Sequence, residues 1–325
     1  MRVLALAALP VLAAVVVLLS GCVSLRPFEQ VRQGLPADRY VRVGGQYVHI
    51  EQAGPEGAEP VVLIHGFGAS TYSWRNVIPA LSGSFRTIAV DLNGFGYTQR
   101  PRDAESYTRE GQVRLVLGVL DEFGIEKAHF VGHSYGGALT QWIVSRHPER
   151  ALSFVLVDSA APTYPEDRRS AVAAFRPLST LFLRSFALRE DSVRKALRRS
   201  VADPAVVTDE LVRAYWERLT IEGVSDAYYG LTAPRRGKLG SSERVVFEDL
   251  DLPGLVVWGS EDRLVRLEDG RAATARMPRA RFVVMEGVGH LPMEERPEEL
   301  SRLLLEFLTS QARPGSPGSG SPGRG

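Results

Sequence analysis

Ala128-His129-Phe130-Val131-Gly132-His133-Ser134-Tyr135-Gly136-Gly137-Ala138 is the stretch that decides how this chain folds. An apolar run, Ala128–Val131, reads as a short strand buried on both faces. A helix-like stretch, Ala138–Arg146, follows it. Between them Gly132-His133-Ser134-Tyr135-Gly136 fits G-x-S-x-G, a pattern that occurs once in the chain. The pattern is weak by itself and gains meaning from its strand–turn–helix setting. A serine on a sharp turn there stands clear of the backbone. The glycines leave room where a β-carbon would strike the neighbouring strand or helix, and the helix N-terminus faces developing negative charge.

Working outward, Val61–Ile64, Thr87–Val90, Phe154–Val157, Leu255–Trp258 and Arg281–Met285 read as further buried strands. Helix-like stretches lie among them at Arg109–Phe123, Leu267–Met277 and Pro297–Leu308. Strands alternating with helices imply a mostly parallel α/β sheet flanked by helices. Tyr40–Val43 and Gln46–Glu51 flank Gly44-Gly45 and read as a hairpin. Residues 161–249 break the rhythm. They show no clear buried strand but Arg-rich amphipathic pieces with Phe175, Phe182, Phe186, Tyr215, Trp216, Tyr228 and Tyr229, as expected of a helical cap inserted into the sheet. The division is therefore a core over 40–160 and 250–310, a cap over 161–249, and a Gly/Pro/Ser-rich tail over 311–325 that cannot bury enough surface to order itself.

Two further loops carry the right chemistry. Trp258-Gly259-Ser260-Glu261-Asp262 follows one strand, and Gly287-Val288-Gly289-His290-Leu291-Pro292 follows the last. A serine nucleophile needs a base, and the base needs an acid to orient it and to stabilise its cation. Of the six histidines, His290 is best placed as base. His49 and His129 lie in strands, His147 ends a helix, and His133 beside the serine points away from the hydroxyl. For the acid, Glu261 is adjacent to Asp262, and Asp158 after Phe154–Val157 is the serious competitor.

Ser134, Asp262 and His290, in that chain order and each just after a strand, make the protein resemble the capped branch of the α/β-hydrolase superfamily. Asp91-Leu92-Asn93-Gly94-Phe95-Gly96-Tyr97-Thr98 is similar to that branch's aspartate–glycine turn. The resemblance runs from about Tyr40 to Leu308 and favours Asp262 over Glu261. Some family members, however, place the acid where Asp158 stands. His65-Gly66-Phe67-Gly68 resembles the family's oxyanion-hole segment. That implies the backbone N–H groups of Phe67 and Tyr135 as oxyanion donors, with the His65 ring bracing the loop. The implied chemistry is two-step acyl transfer on a small-molecule acyl substrate, with neither metal nor organic cofactor. Ser134 argues against haloalkane dehalogenases and soluble epoxide hydrolases, which use an aspartate nucleophile. An ester is the first expectation, because many carbon–carbon hydrolases of this type carry Asn where His133 stands. Carbon–carbon hydrolysis and cofactor-free perhydrolysis are the alternatives, and a dead hydrolase fold serving as a lipid-anchored binding protein is the rival of another class.

Composition sets the remaining bounds. The 325 residues are 44% hydrophobic and 24% charged, ample for a large core. The 39 basic and 38 acidic side chains give a net charge of +1, which leaves no basic excess to suggest a nucleic-acid partner. Arg2 precedes an apolar run, Val3–Leu19, that would span roughly 25 Å as a helix against a bilayer core of about 30 Å. Leu19-Ser20-Gly21-Cys22 then resembles the lipobox of bacterial lipoproteins. The resemblance implies a signal peptide over 1–21 and a lipidated Cys22, the only cysteine. A tether over 22–39 would follow, with export to the cell envelope and, Val23 standing after the cysteine, the outer membrane of a Gram-negative cell.

Overall fold

The computed structural model describes residues 23–161, 188–232 and 245–312. The expected signal peptide, Cys22 and most of the expected tail lie outside the described residues, as do parts of the expected cap. Eight strands form one sheet: β1 (Tyr40–Val43), β2 (Gln46–Ala53), β3 (Pro60–Ile64), β4 (Arg86–Val90), β5 (Ala128–His133), β6 (Ala151–Val157), β7 (Gly254–Gly259) and β8 (Ala280–Met285). Their spatial order is β1-β2-β4-β3-β5-β6-β7-β8. β1 and β2 pair antiparallel, β2 runs antiparallel to β4, and every later pairing is parallel. Gly44 and Gly45 close the first hairpin with φ of +56° and +87°, the backbone that a two-residue turn matched to strand twist requires.

The apolar runs of β3 to β7 are continuous because both faces of the sheet are covered there; β8, expected to be buried as well, is the edge strand, and only its Met285 is buried. Side chains alternate between two cores, as the strand period of two dictates. Val62, Ile64, Ile88, Val90, Phe130, Phe154, Leu156, Val256 and Trp258 face one core. Helices α2 (Arg109–Glu122) and α3 (Tyr135–Arg146) cover it. Val61, Leu63, Ala89, Val131, Val155, Val157, Leu255 and Val257 face the other. There the C-terminal helix Pro297–Gln311 packs through Leu300, Leu304 and Leu308. Thr108 starts α2 by accepting the Gly111 N–H at 2.8 Å, a side-chain cap that satisfies one of the unpaired amides of the first turn.

The chain between β6 and β7 is helical over its described part: α4 (Glu190–Ser200), α5 (Asp209–Leu219) and α6 (Val224–Thr232). Val193, Leu197, Leu211, Val212 and Tyr215 of this insertion enter the second core. Arg75 of the core makes a two-point bond to Glu294 at 2.9 and 2.7 Å, and the Tyr215 hydroxyl donates to the same carboxylate at 3.0 Å. The segment expected as a tether is docked. Arg26 lies opposite Ile221 in an isolated parallel bridge, its N–H donating to the Thr220 carbonyl at 2.9 Å and its carbonyl accepting the Glu222 N–H at 2.8 Å, and α1 (Phe28–Gln33) is a short helix. Among the described residues no helix is long and apolar enough to cross a membrane.

Leu63 is fully buried at the centre of the sheet, whereas Leu264 is 49% exposed. Leu63→Ala is expected to cost about 2–5 kcal/mol of stability and Leu264→Ala less than about 0.5. Urea unfolding of the two variants beside the parent checks this, and equal midpoints would contradict the assignment of the core.

Candidate active site

β5 runs straight into the turn that carries Ser134. The serine has φ +51° and ψ −113°, a conformation an L-residue holds only when its surroundings impose it. Three contacts impose it. The Ser134 N–H donates to the Val157 carbonyl at 3.0 Å. Its own carbonyl accepts from Ala160 N–H at 3.0 Å and from Ala138 N–H, in the first turn of α3, at 3.1 Å. α3 can lie this close to β3 because residue 136 is glycine. A β-carbon there would sit 2.3 Å from the Ile64 carbonyl oxygen. The strand is two residues longer and the helix three residues earlier than the sequence pattern indicated. Gly132 ends up in the strand and Gly136 and Gly137 in the helix, where they leave the room for packing that the sequence reading gave them.

The three residues expected to act together are brought together. His290 Nε2 lies 2.9 Å from Ser134 Oγ, and His290 Nδ1 lies 2.7 Å from Asp262 Oδ2. The other oxygen of Asp262 accepts backbone N–H bonds from Leu264 at 2.7 Å and Val265 at 3.0 Å. Burial works against ionisation of this carboxyl. The hydrogen bond and charge of His290, together with the two amides, outweigh it and hold Asp262 below the usual carboxylate range. Glu261 is exposed and its backbone N–H is spent on the Val288 carbonyl at 2.8 Å.

Asp158 lies beneath the pair, fully buried. One oxygen accepts the Gly259 N–H at 2.8 Å, and the other, also buried, receives no N–H or hydroxyl donor and lies on the side of Asp262. Asp158, Asp262 and His290 are the one group of possible metal ligands among the described residues, each with an atom within 4.8 Å of the others. The 2.7 Å between His290 Nδ1 and Asp262 Oδ2 is the span of a shared proton. Two ligands on one zinc ion would stand roughly 3.3 Å apart, from bond lengths of about 2.0 Å each.

The segment expected to form the oxyanion hole lies against the Ser134 turn. Its loop turns through an Ala69 N–H bond to the Gly66 carbonyl at 3.2 Å. The His65 ring, fully buried, donates from Nδ1 to the Gly66 carbonyl at 2.7 Å and accepts the Leu92 N–H on Nε2 at 3.1 Å. Burial lowers its proton affinity, so it stays neutral and braces the loop, as expected. Phe67 is 55% exposed, and its ring meets those of Phe95 and Tyr135 edge-on, with centroids 5.1 and 6.4 Å away. Asp91 underlies this region. It accepts the Thr71 N–H at 2.6 Å, the Tyr97 N–H at 2.8 Å and the His49 ring at 2.8 Å. Burial opposes the charge, but these donors pull its pKa far down.

His290 is held in place by contacts that the sequence reading did not give. His133 does point away from the hydroxyl, and its Nε2 donates to the His290 carbonyl at 2.7 Å. Burial and the nearby His290 push His133 down to about 3, so it is a neutral donor. The His290 N–H donates to the Ser200 carbonyl at the end of α4 at 2.7 Å. One oxygen of Glu295 accepts the Gly289 N–H at 2.9 Å and the other the Ala202 N–H at 2.7 Å. Partners this far apart in sequence leave no local signal.

Residues 59–297 match the family model described as alpha/beta hydrolase fold. The chain is 33% identical to a 2-hydroxymuconate semialdehyde hydrolase of Pseudomonas sp. (strain CF600), over 77% of this chain and 86% of that one. A meta-cleavage product hydrolase of Pseudomonas fluorescens IP01 superposes with a TM-score of 0.69 at 27% identity, over 84% of this chain and 98% of that one. A membrane phospholipase A superposes with a TM-score of 0.67 at 25% identity, over 96% of this chain and 99% of that one. The first two stand nearer to the carbon–carbon reading, second in the sequence argument, than to the ester reading placed first.

His133→Ala is expected to lower kcat by about 10- to 100-fold with little change in KM, because a displaced base costs rate rather than ground-state binding. His133→Gln, which keeps a donor, is expected to recover part of the loss. Steady-state kinetics of both variants check this, and an unchanged kcat in His133→Ala would contradict it.

Proposed function

As the chain belongs to the alpha/beta hydrolase fold family, we propose that it is a serine hydrolase that breaks a bond to a carbonyl carbon, with Ser134 as nucleophile, His290 as base and Asp262 as the orienting acid. The observation that carries this is the continuous line from Asp262 through both ring nitrogens of His290 to Ser134 Oγ, with spans of 2.7 and 2.9 Å. In the first half of the cycle His290 takes the Ser134 proton as Oγ attacks the carbonyl carbon. The oxyanion is held by the Phe67 and Tyr135 amides, and His290 returns the proton to the leaving group. In the second half His290 deprotonates a water, which releases the acid and restores the serine. The helical insertion serves as a cap. Its Ser200 carbonyl on the His290 amide supports that role.

Two leaving groups suit this cycle. A carbanion delocalised into a neighbouring carbonyl gives carbon–carbon hydrolysis of a ring-fission ketone, and the two Pseudomonas relatives support that reading first. An alkoxide gives ester hydrolysis, supported by the nearly full-length likeness to the membrane phospholipase A and by His133 in place of Asn. Parallel kcat/KM measurements on a ring-fission dienoate and on p-nitrophenyl esters of increasing chain length decide between them. The dienoate is expected to be preferred, and preference for an ester would reverse the order. Ser134→Ala is expected to lose on the order of 10⁴–10⁶ in kcat on whichever substrate the parent cleaves. Near-native turnover in that variant would overturn the nucleophile assignment. The N-terminal motif carries a separate proposal, lipid attachment at Cys22 and anchoring in the cell envelope, supported by Leu19-Ser20-Gly21-Cys22 behind the apolar run. Metabolic palmitate label should appear in the parent and disappear in Cys22→Ser, and equal label in both would refute it.

A further inference from the structure

Among the described residues only two other than glycine have a positive φ: Ser134 at +51° and Asp158 at +43°. Strain of this kind persists where the surrounding structure holds it, and it gathers at functional sites. Asp158 ends β6 as Ser134 ends β5, and β5 and β6 are neighbours. Its backbone N–H is fixed on the Val257 carbonyl at 2.9 Å, and this turns the side chain inward under the loop that carries Asp262.

Among the described residues the groups facing Asp158 are few. Asp262 comes from the loop after β7 and His290 from the loop after β8, each with a ligand atom within 4.8 Å of Asp158. Glu295 adds negative charge from beyond the His290 loop. His133 of β5 stands on the far side of His290, with ring centroids 4.9 Å apart, and is neutral. No cation other than a protonated His290 faces the two aspartates among these groups. Asp262 has the imidazole and two amides, while Asp158 has one amide and an oxygen that receives no N–H or hydroxyl donor. Two carboxylates this close in a buried site do not both ionise, and the one with fewer donors keeps the proton. Burial and the charge of Asp262 accordingly raise Asp158 well above the ordinary carboxyl range.

We propose that Asp158 is a positioning residue of the triad: its second oxygen carries a proton directed at the Asp262 carboxylate, and this donor fixes Asp262 and tempers its pull on His290. The carboxyl left without a partner, the strained backbone and the adjacent anion are then one arrangement. This rests on the reading of Ser134, His290 and Asp262 given above. Removing the donor leaves Asp262 more basic, so the protonated imidazole is better stabilised and general-base chemistry switches on at higher pH.

The test combines two readouts on the full chain. The first is the rate of fluorophosphonate labelling against pH for the parent, Asp158→Ala and Asp158→Asn, with thermal melts to verify folding. Asp158→Ala is expected to label about 10-fold or more slowly, with its acid limb moved to higher pH. Asp158→Asn, whose amide donates from the same place, is expected to recover most of the rate and to return the limb to the parent position. An acid limb moved to lower pH in Asp158→Asn would mean that a negative charge had been removed, and would overturn the proposal. So would an Asp158→Ala variant whose limb does not move. The second readout is the infrared difference spectrum of parent minus Asp158→Asn at neutral pH, which needs neither a folded alanine variant nor a reactive serine. A protonated-carboxyl C=O stretch present in the parent and lost in the variant is expected, and a carboxylate difference in its place would overturn the proposal. Absence of labelling in the parent would count against Ser134, and the infrared result would still decide Asp158.

Discussion

The arrangement depends on one close approach, that of the first turn of α3 to the end of β3. Contact there, with no room for a β-carbon at residue 136, fixes where the helix begins and so how sharply the chain turns at Ser134. The strained serine is held by amide and carbonyl contacts to Val157, Ala160 and Ala138, so the neighbouring strand β6 and the helix both enforce it. Under the proposed mechanism a serine fixed in this way needs no reorganisation when it reacts. In that mechanism its helix N-terminus and the adjacent Phe67 segment stand on the side where negative charge would develop.

The other half of the site is held by long-range hydrogen bonds. Asp262 and His290 sit on loops at the ends of the last two parallel strands, which places them side by side at one end of the sheet. Loops alone would leave the imidazole loose. His133 holds the His290 carbonyl, the end of α4 takes the His290 amide, and Glu295 ties Gly289 to Ala202. The helical insertion therefore does more than overlie the sheet. Its packing through Val193, Leu197 and Tyr215 and its contact with His290 make the position of that imidazole depend on how the insertion is seated.

Much of this was legible in the sequence, for reasons that can be stated. Val61–Ile64 and Phe154–Val157 announce buried parallel strands because both faces are covered, so no polar residue interrupts them. Ser134, Asp262 and His290 are legible as a set because each follows a parallel strand, although the strand before His290 is a half-buried edge. What was not legible depends on pairs far apart in the chain. Nothing near His133 reveals the carbonyl of His290, 157 residues away, and nothing near Arg26 reveals Ile221. Asp158 was visible only as a rival to Asp262. Its relation to that residue appears once β6 and β7 are seen to be neighbours. The start of α3 was missed for a different reason. Gly136-Gly137 reads as a turn by propensity, while tertiary contact makes glycine the residue that fits a helix there.

The central claim is that Ser134 is a nucleophile activated by His290. Peptide mass spectrometry of the chain after reaction with a fluorophosphonate tests it most directly. One adduct per chain is expected, on the peptide that contains Ser134, with loss of that adduct in His290→Ala. An adduct on another residue, or undiminished modification of Ser134 in His290→Ala, would contradict it.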